Sequence, residues 1–313
     1  MAKYLVTGGA GFIGSNLVRY LLDRDHDVVV LDNFATGKRE NLAEIADRIE
    51  LVEGDIRDRQ TVDAAMSQCA AILHQAALGS VPRSVEDPAT SHDVNVNGTL
   101  TVLDAARDAG IRRVVFAASS SVYGNRPESP KHEDMTLLPV SPYAANKASC
   151  EHYMMAYAAS YGMETLCLRY FNVFGPRQDP LGAYAAVIPA FASRILKDQR
   201  PVVFGDGEQS RDFCYIENVC NANYLALEAP AEVCDGRAVN IACARATSLN
   251  QIIDILAELL GKSIKADYQD ERAGDVKHSL ADISLAKKTI GYEPQIYFED
   301  GLQQAIGWYS KNL

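Results

Sequence analysis

Apolar runs and helically spaced stretches take turns along the first half of the chain. Tyr4-Leu5-Val6 is a short run of β-formers. Ser15 to Leu22 follows, with apolar residues at 17, 18, 21 and 22, the spacing of one helical face. After a polar turn at 25–27, Val28 to Leu31 reads as a second buried strand ending in Asp32. Leu51 begins a third strand that runs into the polar turn Asp55 to Asp58. Thr61 to Ser67 is a predicted short helix, and Ala70 to Ala77 a fourth strand running into small residues. Gly79 to Ser84 is a predicted loop and Asp87-Pro88 a turn. Val94 to Gly110 is predicted helical, and Arg112 to Ala118 is a fifth strand ending in Ser119-Ser120-Ser121-Val122-Tyr123-Gly124. Strand and helix repeated with crossover-length connections predict an α/β fold with a doubly wound parallel sheet. Ligands then sit at the carboxyl ends of the strands. The turn after Val6, Asp32, Asp55, Ala76 and Ser119 would share that edge.

A helix opens at Ser141 and continues to about Tyr161. From Tyr184 the strict alternation breaks. Pro201 to Gly207 looks like a strand and tight turn. Ile216 to Leu227 is helical, Ala238 to Ala242 a short strand, and Leu249 to Leu260 an amphipathic helix. Ile283 to Ile290 and Glu299 to Tyr309 are terminal helices.

The turn after the first strand carries glycines at 8, 11 and 14. Such a turn aims free backbone N–H groups and the positive end of a helix dipole at one point, where a diphosphate can sit. The same glycines also serve a plain strand-to-helix turn. Asp32 lies 18 residues beyond Gly14, close to the roughly 20 at which an acidic residue takes the adenine-ribose hydroxyls of a dinucleotide. A carboxylate there repels a 2′-phosphate, and Lys38 and Arg39 stand a turn away, so NAD is favoured over NADP. Asp55 and Ile56 fall near the adenine if the sheet is parallel, though a plain β–α loop explains them equally. His74 reads as a packed strand-end histidine rather than a base.

Tyr143 and Lys147 stand at i and i+4 on the helix that Ser141 opens, so they share a face. A nearby ammonium stabilises a phenolate and lowers its pKa toward the range of a working base. An isolated YxxxK is usually an ordinary amphipathic helix. Behind a glycine turn, an Asp32 and a strand ending in serines, it reads as an acid/base pair.

Composition limits what such a site serves. The 313 residues carry a net charge of −11, with 48% hydrophobic and 23% charged residues. That charge disfavours a nucleic-acid surface. Seven cysteines are scattered without a CxxC pair, which points to neither a disulfide framework nor a metal site and fits a reducing cytoplasm. No apolar run approaches a membrane span, and the first residues do not read as a signal peptide.

Taken together, GxxGxxG at 8, 11 and 14, Asp32, Ser119 to Tyr123, and YxxxK at 143 and 147 resemble the extended short-chain dehydrogenase/reductase family over nearly the whole chain. Within it the chain is similar to UDP-hexose 4-epimerases, above all those acting on UDP-N-acetylglucosamine and UDP-N-acetylgalactosamine. Leu168 to Gly175, Arg177 to Pro180, Gly182 to Pro189, Ser210 to Phe213 and Gly274 to Ser279 carry that likeness. The resemblance implies a Rossmann-like NAD domain over 1–171, with some later segments returning to it. It implies a smaller, mixed α/β nucleotide-sugar domain mainly over 172–313.

It also implies residue roles. Tyr143 is the acid/base at the sugar 4-hydroxyl, Lys147 holds the nicotinamide ribose and lowers the tyrosine pKa, and Ser119, with Ser121 close by, hydrogen-bonds the reacting oxygen. Gly8, Gly11, Phe12, Ile13, Gly14, Asp32, Asn33, Thr36, Gly37, Asp55, Ile56, Gln75 and Ala77 surround NAD, with Tyr170 and Val173 beside the nicotinamide. Ser80, Asn172, Ala186, Val187, Arg211, Arg272, Asp275 and Ser279 contact the UDP-sugar. Read from the residues alone, Arg211 serves a diphosphate or an ion pair with Glu208 or Asp212, and Arg272 to Asp275 a ligand grip or a surface turn.

The reaction implied passes hydride from C4 to NAD and back to the other face of a 4-keto sugar. The small Ser279 admits an acetamido group, so UDP-N-acetylhexosamines of polysaccharide biosynthesis are the expected substrates. A nucleotide-sugar 4,6-dehydratase or decarboxylase is the enzyme alternative, although Ser120-Ser121 stand where the dehydratases have an Asp-Glu pair. A silent NAD-binding relative is the alternative of another class. A homodimer through the helices at 94–110 and 143–161 is the expected assembly.

Overall fold

The computed structural model describes residues 2–179, 186–271 and 277–313. The first half contains strands β1 (Lys3–Thr7), β2 (Asp27–Asp32), β3 (Glu50–Glu53), β4 (Ala71–His74), β5 (Arg113–Ser119) and β6 (Glu164–Tyr170). Its helices are α1 (Phe12–Leu22), α2 (Arg59–Ala65), α3 (Val81–Glu86), α4 (Pro88–His92), α5 (Gly98–Asp108) and α6 (Pro142–Tyr161). Then follow β7 (Asn172–Phe174), α7 (Val187–Leu196), β8 (Val202–Phe204), β9 (Ser210–Tyr215), α8 (Ile216–Glu228) and β10 (Asp235–Ile241). The chain ends with β11 (Ala246–Ser248), α9 (Leu249–Leu259), β12 (Asp267–Gln269), β13 (His278–Ser279), α10 (Ser284–Ile290) and α11 (Phe298–Asn312).

A seven-stranded parallel sheet in the order β10-β6-β5-β4-β1-β2-β3 forms the centre. The doubly wound fold expected from the strand–helix repeat is the fold observed. Its inner strands are apolar on both sides because both faces are covered, while the edge strand β3 stays largely exposed. Val28 and Val30 pack with Leu17, Val18 and Val219 on one face. Val29 and Leu31 pack with Val62, Val102 and Cys150 on the other. Successive strands run outward in both directions from β1 and β4, so the order reverses between those two, and the ends of β1 and β4 open a crevice there. A second sheet, β11-β9-β13 with β7 also paired to β9, lies beyond the end of β6. β8 and β12 form a separate pair.

Several elements differ from their expected limits. Helices α3 and α4 replace the predicted loop at 79–84 and the turn at 87–88. Ser80 and Asp87 each accept a backbone N–H three residues on, and Pro82 and Pro88 stand in the first turns. A cap followed by proline starts a helix even where apolar periodicity is too short to see. The predicted helix at 94–110 begins instead with a π-turn over Asp93–Asn97. The chain between Glu164 and Tyr170 carried no strand expectation, yet it is the buried neighbour of β5.

Gly14 must be glycine for a packing reason. A Cβ on it would stand 2.2 Å from the Gly8 carbonyl oxygen, and Gly8 itself has φ +68°. Gly14→Ala is expected to force α1 away from β1 and to cost about 1–3 kcal/mol, typical of overpacking. Urea denaturation measures it, and an unchanged midpoint would refute this account of the turn.

Candidate active site

The crevice between β1 and β4 is a cavity of about 700 Å³. Gly11 caps α1 without a side-chain hydrogen bond, so the first N–H groups of the helix and its dipole face this space. Gly8, Phe12, Ile13 and Gly14 line it with Gly11. Asp32, Asn33, Thr36, Asp55 and Ile56 line the side toward β2 and β3, and Gln75 and Ala77 the side toward β4. Ser80, expected against the sugar, also lies on this rim. Gly37 packs behind, where a Cβ would meet the Asp32 carboxylate at 2.9 Å.

Asp32 is buried, and its two oxygens accept the N–H groups of Ala10 and Phe34 at 2.9 and 2.8 Å. Each oxygen keeps a lone pair for a ribose hydroxyl, and the carboxylate opposes a phosphate. Asp55 is gripped by Arg57 and by Asn33, which hold its carboxyl down at about 2. The uncapped helix end, the glycine turn and Asp32 therefore fit a dinucleotide with a free 2′-hydroxyl.

The catalytic candidates gather at the end of β5. Ser119 hydrogen-bonds Tyr143, and the Ser121 hydroxyl donates to Ser119 Oγ at 2.9 Å. The Tyr143 N–H donates to Ser84 Oγ at 3.0 Å. Lys147 is buried one turn along, donating to the Ala117 carbonyl at 2.7 Å, with its ammonium 5.9 Å from the Tyr143 ring centre. Burial pushes Lys147 down to about 8. The expected lowering of the tyrosine pKa is not what the protein alone produces. Burial pushes the Tyr143 hydroxyl up, and the Ser119 bond only pulls against that.

Ser119 pairs in register with Tyr170 on β6. Tyr170 is buried, and its hydroxyl lies 3.2 Å from Gln75 Oε1 and 3.1 Å from Asn223 Oδ1. Two residues later the chain enters a second cavity of about 460 Å³, lined by Asn172, Val173, Ala186, Val187 and Arg211. Arg211 donates to the carbonyls of Ser210 and Lys277 at 2.9 and 3.3 Å. Ser279 pairs with Arg211 across β13 and β9. Arg272 and Asp275 lie outside the described residues.

Sequence reasoning missed several groups. Lys38 and Asp179 line the first cavity and form a half-exposed ion pair at 3.2 Å. Arg177 joins them there and donates to Asn16 on α1. Phe191, Phe204 and Gln209 line the second cavity. The Phe204–Gly207 turn was visible, but not what it faces.

The sequence pattern of the NAD dependent epimerase/dehydratase family matches residues 4–242, and the chain belongs to that family. NAD is its cofactor. A putative UDP-glucose 4-epimerase of Methanocaldococcus jannaschii is 39% identical over 98% of both chains. The structure of a UDP-N-acetylglucosamine 4-epimerase from Methanobrevibacter ruminantium, in complex with UDP-N-acetylmuramic acid, superposes with a TM-score of 0.93. It is 41% identical and covers 100% of this chain and 99% of that one. A dTDP-glucose 4,6-dehydratase from Streptomyces venezuelae, with NAD bound, has a TM-score of 0.89 at 33% identity, covering 99% of this chain and 97% of that one.

His74 on β4 is fully buried between Thr7 at 2.7 Å and Thr99 at 3.0 Å. Burial, with the Lys147 charge, pushes it from 6.5 down to about 3. The unfolded chain therefore binds this proton before the folded one does. Stability from His74 is complete above pH 6.5 and is lost as pH falls toward about 3. His74→Gln is expected to flatten the pH dependence of the denaturation midpoint across that window. A parallel curve for the variant would show that His74 does not titrate as described.

Proposed function

We propose that this protein inverts C4 of UDP-hexoses, and that it prefers UDP-N-acetylglucosamine and UDP-N-acetylgalactosamine to UDP-glucose and UDP-galactose. The observation that carries the reading is the junction at the end of β5. Tyr143, Ser119 and Ser121 gather there, next to the strand that leads into the second cavity. The full-length likeness to UDP-glucose and UDP-N-acetylglucosamine 4-epimerases supports it.

NAD bound in the first cavity would supply the hydride chemistry at the substrate carbon, by way of a 4-keto sugar. The protein's part is proton movement and grip. Tyr143 Oη takes the proton of the 4-hydroxyl as that carbon is oxidised and returns one on reduction. Ser119 and Ser121 hold the reacting oxygen, and Lys147 holds the nicotinamide ribose and supplies the nearby positive charge. The sugar must turn over while its nucleotide stays fixed. Arg211, Asn172, Ala186 and Val187 make that grip in our reading, with Arg272 and Asp275 as further contacts by resemblance. The residues expected around NAD hold the dinucleotide, with Tyr170 and Val173 nearest the nicotinamide. The chain would thus divide its labour near 171, NAD before it and nucleotide sugar mainly after it.

Substrate size follows from Ser279, a small side chain beside Arg211. A homodimer through α5 and α6 belongs to the same reading. Its support is the exposed Met155 and Tyr161 on α6, and a single-chain mass in sedimentation would count against it. Cytoplasmic residence fits seven buried, unpaired cysteines. Among the described residues no helix is long and apolar enough to cross a membrane.

Proton NMR tests the reaction. UDP-N-acetylglucosamine is expected to yield its C4 epimer without added NAD, faster than UDP-glucose does. Water loss to a 4-keto-6-deoxy sugar, or CO₂ release, would move the protein to the dehydratase or decarboxylase reaction. Unchanged substrate on NAD-loaded protein would leave only a silent binder. Tyr143→Phe is expected to cut turnover by about 10²–10⁴. Ser279→Tyr should lower acetylated turnover about tenfold or more while sparing UDP-glucose, and undiminished acetylated turnover would end the preference argument.

A further inference from the structure

A buried ion pair lies behind the catalytic helix, and the chemistry described so far does not use it. Glu151 stands one turn beyond Lys147 and two beyond Tyr143, on the same face of α6. Its carboxylate meets the Arg169 guanidinium on β6 in a bidentate fork, at 2.9 and 2.8 Å. Both side chains are less than 8% exposed. The third guanidinium corner donates to the Tyr123 hydroxyl at 2.8 Å, and Tyr123 donates in turn to Asn240 Oδ1 on β10 at 2.7 Å. Tyr123 ends the short turn that begins just after Ser119. One guanidinium thus ties the helix bearing Tyr143 and Lys147 to the turn that bears Ser121 and follows directly on Ser119.

We infer that Arg169 is a positioning residue: through Glu151 and Tyr123 it sets the acid/base tyrosine and the serine hydroxyls in register with each other. The inference rests on the epimerase reading above. Burying two charges is expensive, and an apolar pair of similar volume usually serves stability as well or better. The fork therefore needs another reason, and the fixed, planar geometry of a guanidinium supplies it. A hydroxyl misplaced by about 1 Å can cost a hundredfold in rate.

The fork also sets the charge that Lys147 meets. On its own helix Lys147 faces Tyr143, Cys150 and Glu151. It faces His74 from β4, the Phe116 ring from β5, and Cys167 from β6, which also carries Arg169. Burial pushes both thiols up and His74 down, so these three are neutral at working pH. Glu151 is the carboxylate in that set, and it favours the ammonium form of Lys147.

The test uses the full-length, NAD-loaded protein with Glu151 and Arg169 both replaced by methionine, which removes the charges together and leaves neither unpaired. The variant is expected to fold and keep its NAD, with KM unchanged and kcat down roughly ten- to hundredfold. Its alkaline limb should fall by roughly one pH unit as Lys147 loses its anion. Tyr123→Phe, which keeps the fork and cuts its link to the serine turn together with the Asn240 bond, should lower kcat without moving that limb. A ¹³C NMR titration of the Lys147 side chain reads the charge effect without any substrate. Wild-type kcat and an unmoved limb in the folded double variant would overturn the inference. So would a loss of activity that only follows lost NAD or lost fold. Should the wild-type protein epimerise neither substrate class, the proposed function falls, and the Lys147 titration still decides this one: an unshifted amine overturns it.

Discussion

The Gly8 carbonyl oxygen lies 2.2 Å from where Gly14 would carry a Cβ. That approach brings the first turn of α1 against the end of β1, and the cavity depends on it. With α1 pressed close, its first N–H groups face the crevice where the strand order reverses. Asp32 braces the far side of the same turn by accepting the Ala10 N–H. Backbone donors and a fixed carboxylate are thus in place before any ligand arrives, so little ordering is left to binding.

Burial governs the chemistry at the end of β5. It pushes Lys147 down to about 8 and Tyr143 up, both away from the charged forms that acid/base work draws on. The protein offsets part of this with the Ser119 hydrogen bond and the Ala117 carbonyl. A positively charged nicotinamide in the neighbouring cavity would act on the tyrosine in the lowering direction. On the proposed function the tyrosine is therefore a base mainly in the oxidised, cofactor-loaded state, the state in which a proton has to be taken.

The two cavities are coupled through a short piece of chain. Tyr170 sits beside Ser119 in the central sheet, and Asn172 already lies in the second sheet beside Phe213. Asp212 on β9 is buried and accepts the N–H groups of Cys243 and Ala281 at 2.9 and 3.2 Å. Its neighbour Arg211 is thereby held in a strand anchored on both sides. On the proposed function, a grip of this kind on the nucleotide would leave the sugar free to turn, as inversion at a single carbon requires.

Much of this was legible in the sequence, because local rules wrote it. Apolar runs separated by helical spacing determined the doubly wound sheet. Glycines at 8, 11 and 14 with Asp32 marked the crevice where the strand order reverses, and Tyr143 and Lys147 declared their shared helix face by spacing alone. β6 stayed hidden because Arg169 cuts its apolar run short, and only tertiary contacts, with Glu151 and Tyr123, make that charge tolerable inside the sheet. Helices α3 and α4 were too short for periodicity and depend on caps and prolines. Lys38 and Asp179 lie 141 residues apart and meet only across the folded crevice. Sequence determines what neighbours within a few turns can do, since backbone geometry carries that information. Which distant side chains meet, and how far burial moves their proton affinities, was decided by the tertiary structure, because packing sets both distance and dielectric.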